Sequence, residues 1–179
     1  MKNVQVILFT LLAVLVVSST ISANAPTITI DGLDDDWASF QPVAKSQTGE
    51  TKLFAFTANN NLYVMVKGPM GDWNDIQINS DGKAETGHQS WIWPNMGSDF
   101  LLEDGSLFKS TGPEWEWEEI TETAYASAGE GAERVIEMML PLELIGLTDD
   151  ATIFIGFAGG GIHAPKQGDK PVKISKIAN

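Results

Sequence analysis

The sequence predicts an all-β fold, a jelly-roll-like β-sandwich of roughly ten strands in a single domain. Three observations predict it. Apolar and polar residues alternate with period two in many short runs. Clusters of Gly, Asn, Asp and Pro punctuate those runs at regular spacing. No stretch carries the helical period over a useful length, which leaves a sandwich or jelly roll. With 179 residues and no internal repeat or low-complexity linker, one domain fits better than two.

Residues 1–25 stand apart from that domain. Lys2 gives a positive start, residues 4–17 are almost wholly apolar, and Ala23-Asn24-Ala25 has the small-x-small form of a cleavage site. This is the pattern of a secretory signal peptide cleaved after Ala25. An apolar run of ~14 residues is also shorter than the ~20 that a membrane span needs. The expectation is a chain secreted or held in a periplasm, with 26–179 as the folded domain and no membrane span in it.

Along the domain, residues 27–31 (TITID) alternate as a first strand, and Gly32-Leu33-Asp34-Asp35-Asp36 turns the chain so that Trp37 anchors in the core. Residues 51–58 set Leu53, Ala55 and Thr57 against Phe54, Phe56 and Ala58. Asn59-Asn60-Asn61 is a tight hairpin turn, and 62–67 is the return strand. Residues 75–79 place Ile76 and Ile78 on one face. The stretch 80–97 is long for a loop in a compact domain, which marks it as functional, and its tryptophans argue against disorder.

A second hairpin follows, 99–103 and 106–110 across Asp104-Gly105, and then an alternating run at 114–120 (EWEWEEI). Residues 127–131 are small and read as a turn. Residues 133–140 alternate as a strand that Pro141 ends, because proline cannot donate to a ladder. One helical turn at 142–147 is closed by Gly146. The apolar strand 152–158 is broken by Gly159-Gly160-Gly161, and 172–177 is the last strand.

Composition limits the partners. The net charge of −13 becomes one unit more negative once Lys2 is removed with the leader, and such a chain repels nucleic acid phosphates and anionic lipid surfaces. It suits neutral glycans and divalent cations. Cysteine is absent, which excludes thiol catalysis, Cys-ligated metal centres and lipid attachment at the signal peptide.

Two constellations carry chemistry. In the polar turn after 75–79, Asn79 and Asp81 alternate, Gly82 permits a sharp bend, Glu85 and Thr86 add oxygens, and Asp99 approaches from the next strand. Calcium takes six to eight oxygens, often from alternating positions of one loop, so a structural calcium ion is expected here. The other reading of these side chains is hydrogen bonding to their own loop. The second constellation is aromatic. Residues i and i+2 of an extended segment share a face ~6.6 Å apart, so Trp91 with Trp93, and Trp115 with Trp117, present paired indoles. Such faces stack on the C–H patches of a pyranose or else fill a core. His88 stands beside the first pair as a hydrogen-bonding partner for a sugar.

No nucleophilic triad or zinc spacing is legible, and paired carboxylates arise by number alone among 24 acids. The chain is therefore expected not to be an enzyme.

The segment Ile28-Thr29-Ile30-Asp31-Gly32-Leu33-Asp34-Asp35-Asp36-Trp37 resembles the opening of the family 9 carbohydrate-binding modules and their relatives in the DOMON-like group. Asn61-Leu62-Tyr63-Val64 is similar to the strand that follows there. The stretch from Val135 through Pro141 to Leu147 is similar to the group's E-x-x-I-P-x-x-x-L-G ending. The resemblance implies a β-sandwich that binds an oligo- or polysaccharide through tryptophans, with bound calcium. DOMON-like relatives hold haem instead, so a haem-binding electron-transfer domain is one alternative, with His88, His163 and the methionines as its ligand types. A surface or adhesive protein with a protein ligand is the other.

Overall fold

The computed structural model of the protein describes residues 26–174 and 176; the expected signal peptide at 1–25 and most of the tail beyond Ile174 lie outside the described residues. The hairpin of β2 (Lys52–Ala58) and β3 (Asn61–Lys67) shows how turn chemistry builds the fold. Asn59 and Asn60 take φ of 52° and 59°, the left-handed pair that a two-residue hairpin turn requires and that asparagine tolerates. The pairing then runs in register from Ala58 opposite Asn61 to Lys52 opposite Lys67.

The remaining strands are β1 (Ala44–Lys45), β4 (Asp75–Asn79), β5 (His88–Gln89), β6 (Gly97–Ser98), β7 (Phe100–Glu103), β8 (Ser106–Ser110), β9 (Trp117–Glu122), β10 (Ala124–Ala128), β11 (Val135–Pro141), β12 (Ile153–Gly159), β13 (Ile162–Ala164) and β14 (Val172–Ile174). One sheet has the order β1-β2-β3-β11-β10. The other runs β13-β12-β4-β7-β8-β9, with β14 sharing the β12 edge with β13, and β5-β6 forms a small separate ladder. The two large sheets face each other over one core. Leu53, Val64, Val66, Ile136, Met138 and Leu140 come from the first sheet, and Ile76, Ile78, Leu102, Leu107, Ile155 and Phe157 from the second. The protein is an all-β sandwich, as the alternation predicts.

The first sheet is apolar on its outer face as well. Phe54, Phe56, Tyr63 and Met65 lie there, under Ile28, Ile30, Trp37 and Phe40 of the N-terminal arm. Residues 27–31 are thus not a strand. They make no ladder and act as a cover, and the N–H groups of Asp31 and the following Gly32 find a side-chain carboxylate instead. That carboxylate is Glu137 of β11, fully buried. Its Oε2 accepts the backbone N–H groups of Asp31 at 3.0 Å and Gly32 at 2.7 Å, and its Oε1 accepts the Trp37 indole N–H at 2.7 Å. Gly32 sits at φ 84°, in the left-handed region where glycine carries no penalty. Lys67 Nζ adds an ion pair to Asp34 at 2.7 Å.

Two further expectations are corrected. Ala124–Ala128 pairs in register with β11 and is a strand, although its small residues read as leading into a turn. Among the described residues fourteen strands stand where roughly ten were expected, because ladders of two or three residues are too short to show a period.

The Glu137 contacts lead to a stability prediction. Glu137→Gln turns one acceptor oxygen into an amide that faces an N–H donor, so unfolding by urea should show a loss of about 2–3 kcal/mol. A loss below about 0.5 kcal/mol would mean that the arm is held by its apolar contacts alone.

Candidate functional site

The outer face of the second sheet carries a different pattern. Because Ile76 and Ile78 of β4 point into the core, Asp75, Gln77 and Asn79 must point out. The register then aligns a row across four strands: His163 opposite Ala158, Ala158 opposite Asp75, and Asp75 opposite Glu103. A second row sets Gly156 opposite Gln77 and Gln77 opposite Leu101.

The segment between Asn79 and Gly97 folds down over one end of this face. Trp93 is fully buried there, and its indole lies so close to Gly156 that a Cβ at that position would stand 2.7 Å from the ring. Its Nε1–H donates to the Pro165 carbonyl at 2.8 Å. Ile92, Met96 and Ala158 pack around it with Phe154 at the margin. The β5-β6 ladder and a hydrogen bond from Gly168 N–H to the Ile92 carbonyl, at 2.9 Å, complete the attachment. The segment is long because it covers a sheet.

Beside this cover lies an open groove of about 440 Å³. Its floor carries Asp75, Gln77 and Glu103, and its walls carry Trp73, Trp91, Trp115, His88, Ile92 and His163. Trp91 is 71 % exposed, Trp115 54 % and Trp73 44 %. Each is braced. The Trp91 ring meets His163 edge-on at 5.8 Å. Trp115 meets His88 edge-on at 4.9 Å and Trp117 at 5.4 Å. Trp73 follows Gly71, whose Cα leaves no room for a side chain against Gly160 and whose carbonyl accepts Arg134 Nη1 at 2.7 Å. His88 is itself buried and donates from Nδ1 to the Glu114 carbonyl at 3.0 Å.

The floor is electrostatically unusual. Asp75 is 3 % exposed, and its Oδ1 has no hydrogen-bond partner. Burial first, and then the charges of Glu103 and Asp104, push its carboxyl from an ordinary value of 3.8 up to about 7. Gln77 is fixed by Ser98 Oγ, which donates to its Oε1 at 3.0 Å. Burial also lowers the pKa of His163, which favours the neutral ring.

The expected site residues divide accordingly. Trp91, Trp115 and His88 meet at the groove. Trp93 does not pair with Trp91 as an exposed face, because the chain there is not a strand and alternate indoles diverge, one down onto Gly156 and one out to solvent. Trp117 starts β9 and is half-buried behind Trp115. Asp75, Gln77, Trp73, Glu103 and His163 complete the groove, and the spacing of the tryptophans does not point to them. A signal for Asp75 and Gln77 does exist: an acid and an amide alternate with isoleucines in one strand, and the polar half of that alternation faces the groove.

The oxygens expected for calcium serve the loop itself. Asn79 Oδ1 accepts the Gly82 N–H at 2.7 Å, and Asn79 Nδ2 donates to the Lys83 carbonyl at 2.9 Å. Asp81 Oδ1 accepts Lys83 N–H at 2.8 Å and Thr86 Oγ1 at 3.0 Å. Asp99 Oδ2 accepts both N–H and Oγ–H of Ser80 at 2.8 Å, and Glu85 is exposed. Among the described residues no group of three or more His, Asp or Glu is placed to hold a metal ion.

Two outcomes are expected. In the native state Asp75 holds its proton to higher pH than the unfolded chain does, so its contribution to stability is greatest below about pH 4 and is lost as pH rises through about 7. Asp75→Asn, which mimics the protonated acid, should therefore exceed the wild type in stability at about pH 8 by up to a few kcal/mol, with the gap closing toward about pH 4. Denaturant melts at stepped pH check this; a gap independent of pH would contradict the buried, unpaired carboxyl. Separately, Asp81→Ala should cost about 1 kcal/mol equally in calcium and in chelator. A cost seen in calcium alone would place the ion in this turn.

Comparison of the chain with models of known protein families and with curated proteins finds no match in either. What the groove does has therefore to be read from its own geometry.

Proposed function

We propose that residues 26–179 are a non-enzymatic, exported carbohydrate-binding domain that takes a saccharide in the groove of the second sheet. The observation that carries this reading is the combination of three part-exposed indoles, Trp73, Trp91 and Trp115, around a floor of hydrogen-bonding side chains. Indole is the largest aromatic face available to the C–H patches of a pyranose. Asp75, Gln77 and Glu103 supply acceptors and, with the Gln77 amide and a protonated Asp75, donors for ring hydroxyls. A volume of about 440 Å³ lies within the range of ~300–1,000 Å³ usual for small-ligand sites. A second groove of about 450 Å³, lined also by Lys166, adjoins the first at Gly161 and His163. The likeness of the arm at 28–37 to family 9 carbohydrate-binding modules points the same way, and the leader-like residues 1–25 fit an exported chain.

A raised carboxyl beside a second carboxyl is also a feature of general acid catalysis in glycoside hydrolysis. Asp75 and Glu103 are direct cross-strand partners, with Cβ atoms ~5 Å apart on one floor. Both would reach a bound sugar from the same side, whereas hydrolysis needs carboxyls flanking the scissile bond. Binding without bond cleavage is the reading kept.

The test is calorimetric titration of a panel of oligosaccharides against wild type, Trp91→Ala and Trp115→Ala. At least one sugar should bind wild type, and each variant should weaken that sugar about tenfold or more, as about 1.4 kcal/mol of stacking implies. Both rings are exposed, so the variants should stay folded. Unchanged affinity in both, or a panel with no binder, would remove the reading.

A further inference from the structure

The charge of the groove carries its ligand class one step further. The acids that face it are Asp75 and Glu103, with Asp104 close enough to raise Asp75. Its remaining titratable groups are His88, tied at Nδ1 to the Glu114 carbonyl, and His163, whose burial favours the neutral ring. Among the described residues no lysine or arginine lines the groove. Arg134 Nη1 is directed to the Gly71 carbonyl instead. The floor thus holds two carboxyls with no protein cation against them, and Asp75, whose pKa is raised to about 7, can give up its proton when a cation arrives.

Such a floor is costly unless something meets it. A buried acceptor without a donor costs about 1–3 kcal/mol, and Asp75 Oδ1 is such an acceptor, in a residue 3 % exposed that lines the open groove. A sugar hydroxyl satisfies its hydrogen bond and leaves the charge. An ammonium group satisfies both, through a charge-assisted hydrogen bond. The indoles of Trp73, Trp91 and Trp115 offer stacking faces to the ring with or without an amine. A uronic acid or a sulfated sugar meets repulsion from Asp75 and Glu103.

Resting on the saccharide reading of this groove, we propose that its preferred ligand is an amino sugar with an unsubstituted, protonated amine, which sits over Asp75 and Glu103 between the indole walls. The carboxyls set the preference, and the indoles hold the ring whatever its substituent.

The experiment compares tetramers of glucosamine, N-acetylglucosamine and glucose, all β-1,4-linked, by calorimetry at about pH 6, because ring oxygens hold a sugar amine below the range usual for an α-amino group. Tetralysine serves as a polycation without a sugar. The glucosamine tetramer should bind about tenfold tighter than the two neutral tetramers, and tetralysine should bind far more weakly. In Asp75→Asn/Glu103→Gln the ratio of glucosamine to glucose affinity should fall to about one, whatever happens to the absolute affinities. Should that variant not fold, Glu103→Gln alone, at a part-exposed position, should lower the ratio at least about threefold, about half of the tenfold preference on the free-energy scale. Equal binding of all three sugars overturns the amine preference and leaves the saccharide reading standing. No binding of any sugar overturns both. A preference that survives in the variants, or tetralysine binding as tightly as the glucosamine tetramer, places the attraction on the acidic surface at large and overturns the proposal.

Discussion

The groove exists because Trp93 is seated on Gly156. A residue with any side chain at 156 would lift the indole off the sheet. A smaller residue at 93 would leave a void over a strand that has nothing else to cover it there, and filling such a site contributes about 3–5 kcal/mol. The bond from its Nε1 to the Pro165 carbonyl ties the same ring to the loop after β13. One side chain thereby fixes the 80–97 segment to the sheet and to a neighbouring loop. Trp91, two residues earlier, is then held outward at the rim, where His163 braces it edge-on. The exposed ring depends on the buried one.

The opposite face of the sandwich uses the same device with different chemistry. There the N-terminal arm covers Phe54, Phe56, Tyr63 and Met65, and a buried carboxylate rather than a backbone carbonyl receives the indole N–H, that of Trp37. Glu137 is tolerable inside because three N–H groups surround its two oxygens. Asp75 is the contrast. It is buried to a similar degree, yet one oxygen finds no donor, and its neighbours are acids. A fully partnered carboxylate secures a structural element. An unpartnered one at the floor of an opening is a place where stability has been given up, and such places gather where ligands bind.

The sequence makes the sheets legible and the covers hard to see. Period-two alternation exposes β2, β3, β4, β11 and β12 directly, since each buries one face against a common core. The same rule makes 27–31 look like a strand, because Ile28 and Ile30 do face inward, onto an outer face that a two-layer sandwich does not lead one to expect. In the 80–97 segment, spacing suggests paired indoles at 91 and 93, and that inference holds only for extended backbone. Which of two neighbouring tryptophans is buried is decided by Gly156, more than sixty residues away, and no local pattern encodes it. The polar turn at 79–86 shows the reverse difficulty. Its Asn and Asp residues have the composition of an ion site and the hydrogen bonds of a self-contained loop, and composition alone does not separate the two.

Asp75 and Gln77 are legible in principle, as the polar half of an alternating strand. Their significance comes from the register, which sets Glu103 directly across from Asp75 and His163 two strands away on the other side. An acid in a central strand, facing away from the core, has three fates open to it: bulk solvent, a partner cation, or a covered site. Covering by the 80–97 segment removes the first for Asp75, and the groove-lining residues supply no lysine or arginine for the second. What is left is a carboxyl kept from water on most sides and open on one, with indole faces around the opening. A fold that needed only stability would place an apolar residue there, as it does at Ala158 in the same row. The acid at 75 is therefore not explained by what holds the sheets together, and the proposed ligand of the groove is what accounts for it.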